Sequence, residues 1–259
     1  MTVFSEALDP ATSTVGQLVA ERPSRARVFE QFGIDYCCGG KKPLGQACRD
    51  KQVDPHFVLE ALRRNDESRR AERDWSAMGL ARLADHIEQA HHGYLRKELP
   101  RLDFLVHKVA GAHGANHPEL LRLRDVFLEF KADMLNHMQK EELVMFPMCR
   151  RLESGDWPDG ATPGGATPGG ATRGGAAPIG VERPVDVLTH EHDHAGEALA
   201  EIRRLSGDYV PPPGACNTYR AMLDSLKELE ADMHQHVHLE NNVLFPAALK
   251  ADAARRGKE

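Results

Sequence analysis

Four long stretches between about residues 77 and 252 repeat apolar side chains at intervals of three and four positions. This spacing places the apolar residues on one face of an α-helix, and no strand-like alternation competes with it. Glycine and proline interrupt the pattern at "GAHGANHP" and again at "SGDYVPPPG". The predicted helices cover about 78–112, about 118–152, Pro184 to "SGDYVPPPG", and about 217–250. The pattern predicts an all-α protein built as an antiparallel four-helix bundle.

A shorter helical pattern occupies residues 11–65, and it predicts a small helical N-terminal domain. Gly33 follows the run "VGQLVAERPSRARVFEQF" and suits the left-handed end of a helix. Asp54 followed by Pro55 is a strong start signal, with aspartate as N-cap and proline at the first helical position. The charged residues 66–76 read as a connector to the bundle.

A low-complexity segment divides the bundle at about 154–183, where the unit Ala-Thr-Pro-Gly-Gly is repeated. These residues offer little apolar surface to a core, and their composition is typical of a flexible linker. We therefore predict one bundle domain over 77–252, with this linker between its second and third helices.

Composition excludes several classes of protein. The formal net charge of the 259 residues is -6, and lysine and arginine are interspersed with acids, so no nucleic-acid partner is expected. The N-terminal sequence lacks the pattern of a secretory signal, and no apolar run approaches a membrane span. Five cysteines form an odd, sparse set, which argues against a disulfide scaffold and predicts a reducing, cytoplasmic location.

Two similar strings, "HMQKEELVMFP" and "HVHLENNVLFP", begin 99 positions apart at His137 and His236. On a helix, residues four apart share a face, so His137 points with Glu141 and His236 with Glu240. Apolar neighbours direct these faces inward; they are Met134, Val144, Met145, Leu229, Met233 and Leu244. Two buried glutamates facing each other are costly unless a cation lies between them. The two strings therefore predict two halves of one metal site.

Two further histidines complete the predicted ligand set. His92 and His192 precede the paired strings by nearly equal lengths, which places them at a similar height in the bundle. His192 shares the apolar stripe of its helix, whereas His190 and His194 fall on the polar face. The apolar pattern alone allows either His91 or His92, and the repeat offset favours His92. His238 is assigned to the surface from its helical phase.

Four histidines and two glutamates form a nitrogen and oxygen ligand set. Such a set favours iron, with manganese second, over copper(I) and zinc. Two octahedral ions joined by two bridging glutamates and an oxo or hydroxo bridge retain about two open positions by ordinary coordination counting. A small ligand such as O2 or NO fits there.

The strings around these residues resemble a known family. "HHGYLRKELPRL", "HMQKEELVMFP", "EHDHAGEAL" and "HVHLENNVLFP" are similar to the hemerythrin-like domain of the iron–sulfur cluster repair di-iron proteins. "VFEQFGIDYCCGGKKPLGQAC" is similar to the small tandem-cysteine domain of that family. The resemblance implies terminal imidazoles at His92, His137, His192 and His236, and bridging carboxylates at Glu141 and Glu240. The long "ATPGG" insertion departs from the family pattern.

The resemblance implies repair of iron–sulfur clusters damaged by nitric oxide or oxidants, with damaged iron–sulfur proteins as clients. A carrier, scavenger or sensor of O2 or NO without repair activity is the alternative, and nitric oxide reduction at the di-iron centre is a third hypothesis. Homodimerisation is left open. The tandem-cysteine domain favours repair, because a simple gas binder does not need it.

Cys37 and Cys38 are the candidate reactive thiols. They precede Gly39 and Gly40, which predicts an open, flexible loop, and nearby lysines are expected to favour the thiolate. The functional interpretation is a thiol pair that engages iron, a nitrosyl group or a client's cluster. The competing interpretation is two small residues in a tight turn.

Overall fold

The computed structural model describes residues 9–68, 75–156 and 180–257. These residues are helical apart from their connections, and the only β-type pairing among them is an isolated bridge between Thr14 and Pro43. The chain divides into two compact units, Met1–Met78 with His234–Pro246, and Gly79–Met233 with Ala247–Glu259. Most of the predicted ATPGG linker lies outside the described residues.

Within residues 9–68 the first unit contains four helices. Their bounds are α1 (Val15–Glu21), α2 (Arg25–Gln31), α3 (Leu44–Asp50) and α4 (Pro55–Ser68). Thr14 caps α1 in a capping box with Gln17. Gly33 has a φ of 64°, as predicted for the residue that ends α2, and the Asp54 side chain accepts the His56 N–H at the start of α4.

Apolar side chains from all four helices meet in one core in this unit. Val15, Phe29, Leu44 and Leu62 are among its fully buried members. A five-residue π-turn, Glu240–Leu244, belongs to the same unit and packs against α1. Helices of seven residues are too short to be stable alone, so this shared apolar core holds them in place.

The second unit is the predicted helical bundle. Its helices are α5 (Leu80–Ile87), α6 (Gly93–His113), α7 (Glu119–Lys140), α8 (Phe146–Ser154), α9 (Glu182–Leu205), α10 (Asn217–Leu239) and α11 (Phe245–Arg256). The last residues of α10 and the first of α11 are grouped with the first unit. Within the second unit α7 packs against α6 and α9, and α5 packs against α8. No described helix has both the length and the apolarity needed to cross a membrane.

Three five-residue π-turns interrupt the long helices, and the helical spacing did not predict them. They are Glu88–His92, Glu141–Met145 and Glu240–Leu244. The second and third lie directly before Phe-Pro, and the helix then continues as α8 or α11. Phe-Pro therefore does not end either helix. Proline cannot donate to the carbonyl four residues earlier, and a locally wider turn accommodates this without breaking the helix.

Candidate metal centre

Three buried side chains of the second unit converge on one point. His92 Nε2 lies 3.2 Å from Glu141 Oε2, and His137 Nε2 lies 3.3 Å from the same oxygen. All three side chains are at most 1% exposed. His92 comes from the end of the first π-turn, His137 from the last turn of α7, and Glu141 from the start of the second π-turn.

His192 joins this group from α9. Its Nε2 lies 3.0 Å from His137 Nε2, and the side chain is fully buried. One ligand atom from each of His137, Glu141 and His192 lies within 4.8 Å of the others, which is close enough for one ion to bind all three. The exposed His190 and His194 stay on the polar face, as predicted.

Carboxylates outside the group fix the orientation of two imidazole rings. His92 Nδ1 lies 2.7 Å from Glu142 Oε1, and His137 Nδ1 lies 2.9 Å from Glu191 Oε2. Because a carboxylate only accepts hydrogen bonds, Nδ1 carries a proton in each ring. In the neutral ring, the Nε2 lone pair then faces Glu141, and a cation is the group that satisfies facing acceptors. This carboxylate–histidine arrangement is typical of metal sites.

Both outer carboxylates are also paired with cations. Glu142 binds Arg96, and Glu191 binds Lys140. The hydrogen bond from His137, followed by that from Lys140, lowers the pKa of Glu191 to about 2. Glu191 is therefore ionised at neutral pH and able to hold the His137 ring. A cleft of about 450 Å³ between α7 and α9 reaches His137 and Glu191 from the surface.

His236 and Glu240 form a second buried pair, which belongs to the first unit. His236 Nε2 lies 2.9 Å from Glu240 Oε1, and both side chains are fully buried. The pair has the same four-residue spacing as His137 and Glu141. In both pairs the glutamate is the first residue of a π-turn. π-Turns inside α-helices occur frequently at functional sites.

The two histidines left open by the apolar pattern have different partners. His92 faces Glu141, whereas the Nδ1 atom of the buried His91 lies 2.9 Å from Asp232 Oδ1. The π-turn Glu88–His92 carries both rings, so a simple α-helical phase could not separate them.

The surface assignment of His238 is wrong. Only 3% of this residue is exposed, and its Nδ1 lies 3.3 Å from the Tyr36 carbonyl oxygen. Burial lowers the pKa of His238 to about 4, so its ring is neutral at pH 7. The assignment of Val144 to the core is also wrong, because 38% of that residue is exposed.

The expectation of an open loop with a reactive thiolate is wrong for Cys37. This residue is buried, and its thiol donates to Asp35 Oδ1 at 3.2 Å. A hydrogen bond with the Cys38 thiol and burial, together with the Asp35 charge, raise the pKa of Cys37 well above its ordinary value. Asp35 also accepts the backbone N–H groups of Cys37 and Gly39. The loop is thus a closed turn that keeps Cys37 protonated.

Sequence reasoning missed the outer residues of the site. Glu142 directly follows Glu141, and Glu191 directly precedes His192. Adjacent acids next to candidate ligands are a weak signal, because exposed helix faces are commonly acidic. Only the packing of α6, α7 and α9 shows which of these acids reach an imidazole.

Comparisons with known proteins match both parts of the chain. Residues 11–66 match the ScdA_N domain of unknown function (DUF542), and residues 83–159 and 179–248 match the hemerythrin HHE cation binding domain. The iron-sulfur cluster repair protein ScdA of Staphylococcus haemolyticus is 30% identical over 233 residues, covering 90% of this chain and 96% of the relative. The iron-sulfur cluster repair protein YtfE of Escherichia coli is 33% identical over 239 residues, covering 92% and 97%. YtfE of Salmonella paratyphi B is 34% identical over the same length.

Proposed function

Because the chain belongs to the family of iron–sulfur cluster repair proteins that combine the ScdA_N and hemerythrin HHE domains, we propose that it is a non-haem di-iron protein that repairs clusters damaged by nitrosative or oxidative stress. The convergence of His92 and His137 on the buried Glu141 carries this proposal. A neutral apolar core would not keep these groups together, since each costs free energy to bury.

The proposed centre holds two iron ions joined by an oxo or hydroxo bridge, with manganese as the less favoured metal. Glu141 and Glu240 are the proposed bridging carboxylates, and the proposed terminal ligands are His92, His137, His192 and His236. The duplicated string supports one joint centre, as does a single family match that spans both halves. The proposed domains are a small helical tandem-cysteine domain at 11–65, a connector at 66–76, and a bundle at 77–252 with its linker at about 154–183.

When bound, an iron pair supplies redox chemistry and open positions for O2 or NO. The protein's own contribution is burial and orientation. Glu142 and Glu191 hold the rings of His92 and His137. At most 1% of the His92, His137 and Glu141 side chains is exposed to water. Cys37 and Cys38 are the proposed thiols that engage iron or a client's damaged cluster. We propose that the clients are iron–sulfur proteins of the cytoplasm.

The metal proposal predicts that native protein, purified without chelators, contains about two iron ions per chain. An oxo-bridged absorption band is expected, and adding NO to the reduced protein should change the spectrum because NO occupies open iron positions. Elemental analysis and optical spectroscopy measure both results. Protein with neither iron nor manganese near this stoichiometry would remove the proposed centre.

The repair proposal predicts that the iron-loaded protein reactivates an enzyme whose iron–sulfur cluster has been damaged by NO. Replacing both thiols, Cys37→Ala with Cys38→Ala, is expected to remove most of this activity while the iron content stays the same. Cys216→Ala is the matched control, because that thiol is exposed and lies outside the loop. Unchanged reactivation by the double variant would contradict the role of the thiols. NO binding without reactivation by wild type would favour the gas-binding alternative, and nitrous oxide release would favour NO reduction.

A further inference from the structure

The side chain of Asn242 connects the third π-turn to residues 35–40, here called the thiol loop, within the first unit. Its Nδ2 atom donates to the Cys37 carbonyl at 3.0 Å and to the Tyr36 carbonyl at 3.3 Å. The Nδ1 atom of His238, one turn earlier, lies 3.3 Å from the same Tyr36 oxygen and 3.3 Å from Asn242 Nδ2. The backbone that leads into Cys37 is therefore bound by side chains of the helical segment that carries Glu240.

Two glycines form the slot that receives Asn242. A Cβ atom on Gly40 would lie 2.3 Å from Asn242 Oδ1, and a Cβ atom on Gly16 would lie at the same distance. The two glycines also bind each other, since the Gly16 N–H donates to the Gly40 carbonyl at 2.8 Å. Such close approach on two sides shows that the amide is fitted between α1 and the thiol loop.

The same contacts keep the Cys37 thiol covered. Asp35 holds the loop from the other side by accepting the N–H groups of Cys37 and Gly39, each at 2.9 Å. Only 7% of Cys37 is exposed. A reagent can therefore attack its sulfur only after the loop opens locally, and the frequency of opening sets the reaction rate.

Asn242 stands two residues after Glu240 in the five-residue turn Glu240–Leu244. We propose that Asn242 is a positioning residue that couples the thiol loop to this turn, so that covalent modification of Cys37 and loss of metal from Glu240 promote each other. The inference rests on the proposed function, because it takes Glu240 as a metal ligand. Metal fixes the turn, the turn fixes Asn242, and Asn242 holds the loop closed. By linkage, a metal that disfavours opening is itself bound more weakly when the loop is forced open.

The coupling is measured with iodoacetamide on iron-loaded, full-length protein. In this reaction the Cys37 S–H proton passes to solvent, an S–C bond forms, and iodide leaves. Peptide mass spectrometry gives the rate at Cys37, with the exposed Cys216 as reference thiol in the same sample. Asn242→Asp keeps the shape but replaces the donating amide by an acceptor, and we expect about 10- to 100-fold faster labelling of Cys37. Asn116→Asp, at an exposed position, makes the same charge change and should leave the rate unchanged.

Removing the metal provides the second part of the test. In wild type, iron removal is expected to speed labelling of Cys37, whereas in Asn242→Asp the rate should be nearly the same with and without iron. Conversely, wild type alkylated at Cys37 should lose iron to a chelator faster than unmodified protein. Asn242→Ala, which removes both hydrogen bonds without adding charge, is the second variant if the aspartate variant does not fold.

Two results would overturn the coupling. One is labelling of Cys37 in folded Asn242→Asp and Asn242→Ala at the wild-type rate. The other is an equal response to iron removal in wild type and variants. Iron analysis before labelling distinguishes failure of the proposed metal centre from failure of the coupling. Protein without iron contradicts the proposed function and the metal linkage together, while the rate in metal-free variants still tests the contact between Asn242 and the loop.

Discussion

Glu141→Ala is expected to abolish binding of the iron pair and to give the largest loss of any single change at the centre. Glu141 Oε2 is the oxygen on which His92 and His137 converge, and as a bridging ligand it would be shared by both ions. Loss of a residue that only orients a ligand weakens metal binding by about 10- to 100-fold. Loss of the bridging carboxylate should weaken iron binding by more than this range, and the iron content should fall nearly to zero.

Two matched variants provide reference values for the iron affinity of Glu141→Ala. Glu142→Gln keeps Glu141 but weakens the hold on His92, so we expect about 10- to 100-fold weaker iron binding. Glu129→Ala removes an exposed acid from the same helix, α7, and should bind iron as wild type does. Competition with a chelator of known affinity measures all three. Retention of two ions by Glu141→Ala would contradict the bridging assignment.

The stability of the metal-free proteins separates loss of a ligand from loss of the fold. A cooperative urea transition of metal-free Glu141→Ala would show that the variant still folds. Adding iron should stabilise wild type and leave the variant unchanged, because a ligand that binds only the native state shifts unfolding by mass action.

Gly40→Ala is expected to destabilise the first unit by about 2 kcal/mol, within the range for an overpacked site. The new Cβ would lie 2.7 Å from the Tyr36 carbonyl oxygen and 2.3 Å from Asn242 Oδ1. The carbonyl belongs to the backbone, so a change of side-chain rotamer cannot relieve that contact. The thiol loop must therefore move away from α1 and Asn242.

Hydrogen–deuterium exchange tests this prediction locally. The Gly16 N–H donates to the Gly40 carbonyl, so its exchange should be faster by the factor that corresponds to the lost stability. Gly111→Ala is the control, because a Cβ there meets nothing within 4 Å inside α6. Alanine is the better helix former by about 1 kcal/mol, so the control should be neutral or slightly stabilising. Unchanged exchange at Gly16 in Gly40→Ala would show that the loop tolerates the methyl group.

Local signals in the sequence predicted the positions of the long helices and several of their ends, but not the π-turns that interrupt them. Pro55 after Asp54 and Gly33 after an apolar run marked ends that the structure contains. The apolar period gave the all-α class and the burial of His137 and Glu141. These features depend on residues within about one or two helical turns, so periodicity and capping preferences report them directly.

The failures have a common cause, which is contact between residues distant in the chain. His238 was assigned to the surface by its helical phase, but the Tyr36 backbone covers it from 202 positions away. The two glycines after the cysteines predicted an open loop around Cys37. In the structure, one of them, Gly40, leaves the space that the Asn242 side chain occupies. Lysines nearby in sequence were expected to favour the Cys37 thiolate, whereas the hydrogen bond with Cys38, burial and the Asp35 charge raise the pKa of Cys37.

The sequence by itself determined the helical class and the inward faces with their paired histidines and glutamates. Tertiary structure alone decided that Glu142 and Glu191 orient the imidazoles of the bundle, that π-turns carry Glu141 and Glu240, and that Cys37 is protonated and covered. The physical reason is that a helix fixes the direction of a side chain, whereas burial, hydrogen-bond partners and pKa depend on which other segments pack against it.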